Sequence, residues 1–142
     1  MITVTGSRLP SADMADAPAR FKDLCLDARY HQTLADWWCA ALGYVRRDDL
    51  EPSDDEPRPR NWPVPIVDPS GAGPLIWIVP VPEPKYAKNR MHFDVVGDTA
   101  ALLTAGARLI RARDADTEPD DAIEWDVLAD PEGNEFCVFS PE

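Results

Sequence analysis

Asn89-Arg90-Met91-His92-Phe93-Asp94-Val95-Val96 alternates in character and carries one of the two histidines of the chain. It also restarts a pattern that the first half has already run, opened there by Phe21-Lys22-Asp23-Leu24-Cys25-Leu26-Asp27. Each stretch is followed by a helical segment, a glycine and further strands. Two half-chains of one plan predict a duplicated domain whose opening strands face a common cleft.

Working outward, the strand period of two puts Phe21, Asp23, Cys25 and Asp27 on one face of the first strand, with Lys22, Leu24, Leu26 and Ala28 on the other. From His31 to Leu42, Leu34, Trp38, Ala41 and Leu42 recur at helical spacing, with Trp37 widening the stripe, so both tryptophans read as core. No strong N-cap precedes this helix, and Gly43 is its expected stop. Tyr44 to Asp48 is expected to be a strand, and Leu50 to Arg60 an acidic, proline-rich loop. Pro63 and Pro65, lacking N–H donors, predict an edge position for the strand from Trp62 to Val67. Leu75 to Val81 is an apolar strand.

The second half repeats this order with a shorter helix, Ala100 to Ala105, capped by Asp98 or Thr99 and ended by Gly106. A strand is expected at Arg108 to Ala112 and a second acidic loop at Arg113 to Ala122. Ile123 to Ala129 and Glu135 to Ser140 then form a hairpin about Asp130-Pro131-Glu132-Gly133-Asn134. Met1 to Ala19 reads as a tail in which Ile2 and Val4 allow a short edge strand. Residues 20–142 form the domain, with module one at 20–82 and module two at 88–142.

The chain has 142 residues, with 14 Lys and Arg against 26 Asp and Glu, for a formal charge of -12. One domain of this length buries a sizeable core. Its acidity repels phosphate backbones and anionic lipid, which argues against nucleic-acid and membrane partners. Three cysteines (Cys25, Cys39, Cys137) without a C-x-x-C pair read as free thiols in a reducing cytoplasm. The N-terminus has no signal-peptide pattern, and no apolar segment is long enough to span a bilayer. Motifs for an acyl hydrolase, a P-loop or a dinucleotide fold are absent.

Three markers stand in order along residues 20 to 140. They are Ala40-Ala41-Leu42-Gly43-Tyr44, then Pro82-Glu83-Pro84-Lys85 with Lys88-Asn89-Arg90-Met91-His92-Phe93-Asp94, then Asp130-Pro131-Glu132-Gly133-Asn134-Glu135-Phe136-Cys137. Together they resemble the glyoxalase-like branch of the vicinal oxygen chelate superfamily, which includes bleomycin resistance proteins and extradiol dioxygenases. The resemblance implies an α+β fold of two βαβββ modules whose curled mixed sheets enclose a shared cleft, commonly in a homodimer. It also implies a small organic ligand in that cleft, as in drug sequestration, or a divalent-metal-dependent lyase, isomerase or dioxygenase using zinc, nickel, manganese or iron. By position, the metal ligands would be Asp23, His92 and Cys137, with Val79 at the fourth place, where it cannot coordinate. Cys137 stands where glutamate is usual and Asp23 where histidine is common.

Two readings of His92 remain open: a metal ligand, or a hydrogen-bond partner of Asp23 across the pseudo-twofold axis. Cys137 is either a ligand or a small buried apolar residue. Trp77, Val79, Asp94 and Phe139 are the expected ligand contacts, Trp77 as an aromatic wall on which an organic molecule stacks. Asp23, Asp27 and Asp94 could share the cleft as an acid cluster.

Overall fold

A computed structural model describes residue 18 and residues 21–51, 56–114 and 123–141. Module one comprises strand β1 (Leu24–Ala28), helix α1 (His31–Leu42), β2 (Val45–Arg46), the one-turn helix α2 (Arg47–Leu50), β3 (Val64–Val67) and β4 (Ile76–Pro80). Module two comprises β5 (Phe93–Val96), α3 (Thr99–Thr104), β6 (Arg108–Arg111), β7 (Asp126–Ala129) and β8 (Glu135–Phe139). Each module forms one four-stranded sheet, in the orders β1-β4-β3-β2 and β5-β8-β7-β6. The opening strand pairs in parallel with the last strand of its own module, and the remaining pairs are antiparallel. This is the α+β, two-module architecture expected from the duplicated pattern. The proposed edge strand at Ile2 and Val4 lies outside the described residues.

Both opening strands follow their period. Leu24, Leu26 and Ala28 turn to the core while Cys25 and Asp27 are exposed. In β5, Phe93 and Val95 pack against the core, and Asp94 and Val96 turn outward. One continuous core joins the sheets, with Leu34, Ala35 and Trp38 of α1 packed among Ile66, Ile76 and Ile78 of sheet one and Leu128, Phe136 and Val138 of sheet two.

Helix α1 is the keystone of that core. The Trp38 ring lies 5.2 Å from Phe93 and 5.0 Å from Phe136, and its indole N–H donates to Asp130 Oδ2 at 3.0 Å. Trp37 meets Phe136 edge-on at 6.0 Å and donates to the Ala105 carbonyl at 3.1 Å. Gly43 ends the helix at φ 69°, a left-handed conformation that costs glycine little. The missing N-cap is answered from the other module. A carboxylate oxygen of Glu132, in the β7–β8 turn, accepts the Arg29 N–H at 2.5 Å, and the second accepts the Tyr30 N–H at 3.0 Å. Negative charge at that helix end also complements the macrodipole.

Two expectations are corrected. The strand predicted from Tyr44 to Asp48 is only Val45–Arg46, because the chain turns at once into α2. Strand β3 is not an edge, since it lies between β4 and β2. Pro65 is tolerated there because β2 pairs only with Ile66 and Val67, so no β2 residue faces Pro65 for a ladder bond. The hairpin turn matches expectation, with Gly133 at φ 88°. Asp130 organises it, accepting from the Glu132 and Asn134 N–H groups and from the Asn134 side chain.

Candidate functional site

The core-facing aromatics fix what the second sheet presents on its other side. Phe93 and Phe136 are register partners that both pack on Trp38. Their sequence neighbours Asp94 and Cys137, also partners, must therefore turn away from the core. His92, just ahead of β5, joins them. Its Nδ1 lies 3.3 Å from Asp94 Oδ1 and 3.9 Å from Cys137 Sγ. One donor atom from each of the three lies within 4.8 Å of the others, and among the described residues this is the one such group of three.

Burial, and after it the Asp94 carboxylate, holds the Cys137 thiol above its ordinary pKa. At neutral pH the sulfur is therefore a protonated thiol and a poor nucleophile. Both Asp94 and Cys137 approach the same ring nitrogen, so the trio does not form a relay in which the imidazole bridges acid and thiol. What it can do is hold a cation. An imidazole nitrogen, a carboxylate oxygen and a sulfur converging on one point are a zinc-type donor set.

Asp23 is not part of this group. Its Oδ2 accepts from Lys22 Nζ at 2.6 Å and from Trp77 Nε1 at 3.0 Å. The Lys22 ammonium, with the Trp77 N–H after it, holds the Asp23 carboxyl below its usual range. The expectation that His92 bonds Asp23 across the pseudo-twofold axis is thus corrected to partners on its own sheet. The three aspartates do not share one cluster either, since Asp94 faces His92 and Asp27 lines a separate pocket.

Trp77 has its N–H engaged by Asp23, and the guanidiniums of Arg47 and Arg58 lie 4.9 and 6.0 Å from its ring centre. Those cation–π contacts stand where a stacking ligand was expected. Val79 is the register partner of Asp27 and half-buried. Phe139 stacks at 5.5 Å on Trp125, giving sheet two an aromatic pair on the face that carries Cys137.

A pocket of about 520 Å³ lies at the junction of the two modules. Cys25, Leu26, Asp27, Arg29 and Val81 line it from module one, and Asn89, Arg90, Met91, Glu132 and Asn134 from module two. Two of its lining residues are tied to Glu135, whose carboxylate accepts from Lys85 Nζ at 2.8 Å and the Asn89 N–H at 2.9 Å. Burial works against the Glu135 charge, but Lys85 and the Asn89 N–H outweigh it and lower its pKa. Trp77, Val79 and Phe139 do not line this pocket. A second hollow of about 490 Å³ lies between α1, α3 and β5, with Asp94 and Val96 at its rim and Ala41, Leu42 and Leu102 in its walls.

Sequence reasoning placed Asp94 among ligand contacts but did not join it to His92. The signal was present, because positions two apart on an extended stretch share a face. It also missed the pocket-lining Arg29, Asn89, Arg90 and Glu132. These sit in the linker and turns, whose mutual approach has no periodic signature.

Among the described residues no helix is long and apolar enough to cross a membrane. The sequence matches the family described as "Glyoxalase-like domain" over residues 23–139. No curated protein matches the chain significantly. Solved structures with a similar fold include a glyoxalase/bleomycin resistance protein/dioxygenase family enzyme from Burkholderia phytofirmans PsJN, with TM-score 0.57 and 15% identity over 82% of this chain and 94% of that one. A member of the same superfamily from Sphaerobacter thermophilus DSM 20745 gives TM-score 0.54 and 14% identity over 87% of this chain and 98% of that one. The oxidase ChaP-H2 gives TM-score 0.52 and 12% identity over 89% and 96%. At these identities the structures share the fold, and the match along residues 23–139 gives the family: the chain belongs to the glyoxalase-like domain family of the vicinal oxygen chelate superfamily.

Proposed function

We propose that this protein binds a small organic molecule between its modules, 20–82 and 88–142. The observation that carries this reading is the junction pocket of about 520 Å³ lined from both modules. That volume falls within the range of small-molecule sites, about 300–1,000 Å³. Arg29, Arg90 and Asp27 offer charge of both signs at its walls, while Leu26, Val81 and Met91 supply apolar contact. A ligand carrying a polar group on an apolar body suits such a lining, and sequestration of a drug-like molecule is one use of it.

The test is a thermal-shift screen of small organic molecules, bleomycin among them, followed by titration of any hit. A molecule that binds only the folded state raises the melting temperature with the logarithm of its concentration. Cys25 is exposed and lines the pocket, so Cys25→Trp should fill the space and abolish the shift. No hit, or hits indifferent to Cys25→Trp, would refute the reading.

The convergence of His92, Asp94 and Cys137 favours a second reading, a metal-dependent lyase, isomerase or dioxygenase of the same fold. The thiol suits zinc, nickel or iron better than manganese. Homodimer assembly in the cytoplasm belongs to both readings. Free Cys25, Cys39 and Cys137 support a reducing compartment, and exposed Met91, Val96, Leu109 and Ile110 support an apolar contact between copies. Sedimentation of a monomer at micromolar concentration would remove the dimer.

A further inference from the structure

We infer that the junction pocket takes a dipolar ion: a small molecule with a carboxylate at one end, a protonated amine at the other and an apolar body, of the amino-acid or short-peptide kind. This rests on the pocket reading above and names the class of ligand that the pocket admits.

Six charged residues line the pocket: Asp27, Arg29, Glu83, Lys85, Arg90 and Glu132. Two of them are already committed within the protein. Lys85 gives its ammonium to Glu135 at 2.8 Å, in a pair whose side chains are only 18% and 16% exposed. Glu132 uses both carboxylate oxygens on the Arg29 and Tyr30 N–H groups. The other four enter none of the ion pairs among the described residues. The Arg29 guanidinium has the Tyr30 ring for company, 5.5 Å from its centre. Two guanidiniums and two carboxylates thus stand without a partner of opposite charge, all on exposed residues.

Water solvates these four groups while the pocket is open. A ligand that fills the space strips that water, and a charge that loses water without gaining a partner destabilises the complex. A neutral molecule leaves all four uncompensated. A monoanion answers Arg29 and Arg90 but brings its charge beside Asp27 and Glu83. A monocation is drawn by the formal charge of -12 yet meets the two guanidiniums. A dipolar ion answers both signs at once. The guanidinium fork suits carboxylate oxygens in paired hydrogen bonds, and a protonated amine donates to carboxylates. Leu26, Val81 and Met91 face the apolar body. Asp27 and Arg29 belong to module one, Arg90 to module two and Glu83 to the segment between them, so such a ligand ties the modules through its two ends.

The experiment is calorimetric titration of full-length protein at neutral pH and low salt. The probes are phenylalanine and the dipeptide diphenylalanine, each as the free dipolar ion, the N-acetyl acid, the C-terminal amide and the doubly blocked neutral form. A free form should bind at least about 10-fold tighter than either singly blocked form, the step expected for a hydrogen bond to a charged group. Whichever free form binds more tightly reports the span between the charged walls, and added salt should weaken it. Arg29→Gln and Arg90→Gln should each lower affinity about 5- to 10-fold and shrink the gap between acid and amide. Asp27→Asn and Glu83→Gln should instead shrink the gap between free amine and N-acetyl form. Arg108→Gln, outside the pocket, should change nothing.

Doubly blocked forms that bind as tightly as the free ones would overturn the inference, as would gaps unchanged in the four variants. Failure of both free forms to bind would overturn it too, while the pocket itself is judged by the thermal-shift screen. Binding of neutral forms that Cys25→Trp abolishes would keep the pocket and remove the dipolar ion alone. Binding of any form that survives Cys25→Trp would remove both.

Discussion

The two modules run the same order of elements but hold their helices by different physics. Helix α1 has 12 residues and buries Leu34, Ala35 and Trp38 against both sheets. Helix α3 has 6 residues, none of them buried. Where module one has an apolar joint, module two has a polar one. Asp126 of β7 accepts from Thr99 Oγ1 at 2.6 Å, from the Arg113 N–H at 2.8 Å and from Arg113 Nη2 at 3.0 Å. A duplicated topology therefore does not mean a duplicated core. One long amphipathic helix serves both sheets, and the second helix adds to the core only the half-buried Leu102.

The largest test of this contrast is Trp38→Ala. Removing a buried aromatic typically costs about 3–5 kcal/mol, and this one would also leave Asp130 without its indole donor. Urea denaturation should show one cooperative loss of both modules. Separate transitions would show that the core is not shared.

Acid probes the polar joint. The Arg113 side chain, with Thr99 and the Arg113 N–H, holds Asp126 down to about 2 from 3.8. A depressed carboxylate pKa stabilises the fold above the unfolded value, and that contribution fades as pH falls from about 4 to about 2. Its size is about 2 kcal/mol at neutral pH. The stability gap between wild type and Asp126→Asn should accordingly narrow as pH drops through that window. A gap independent of pH would mean that charge does not hold this joint.

Glu132→Gln sharpens the link between modules, because the amide replaces one of two oxygens that receive the Arg29 and Tyr30 N–H groups. It should cost about 1 kcal/mol. Hydrogen exchange at the start of α1 should quicken, and exchange in α3 should not.

The smallest effect is expected from Leu103→Ala. Leu103 lies on α3 and is 37% exposed, so the change should stay within about 0.5 kcal/mol. A loss above about 2 kcal/mol would show that the outer face of α3 is covered, by a partner copy for instance, and equilibrium unfolding at two protein concentrations would test that.

The sequence by itself determined the local grammar. Period two fixed the faces of β1 and β5, period 3.6 fixed α1 from His31 to Leu42, Gly43 marked a helix end, and of the two candidate caps Asp98 and Thr99 the structure uses Asp98. These features depend on residues a few positions apart, so they can be read along the chain. Only the tertiary structure decided the rest. It covered β3 with a two-residue β2, supplied the start of α1 with Glu132 from 102 positions away at Tyr30, and tied Asp23 to Trp77 rather than to His92. Cys137 and His92, 45 positions apart, were joined at the level of sequence only through the family resemblance and not by any local pattern. Such contacts depend on how one core is shared between two sheets. No local pattern encodes that, because each residue's propensity is satisfied before its distant partner is chosen.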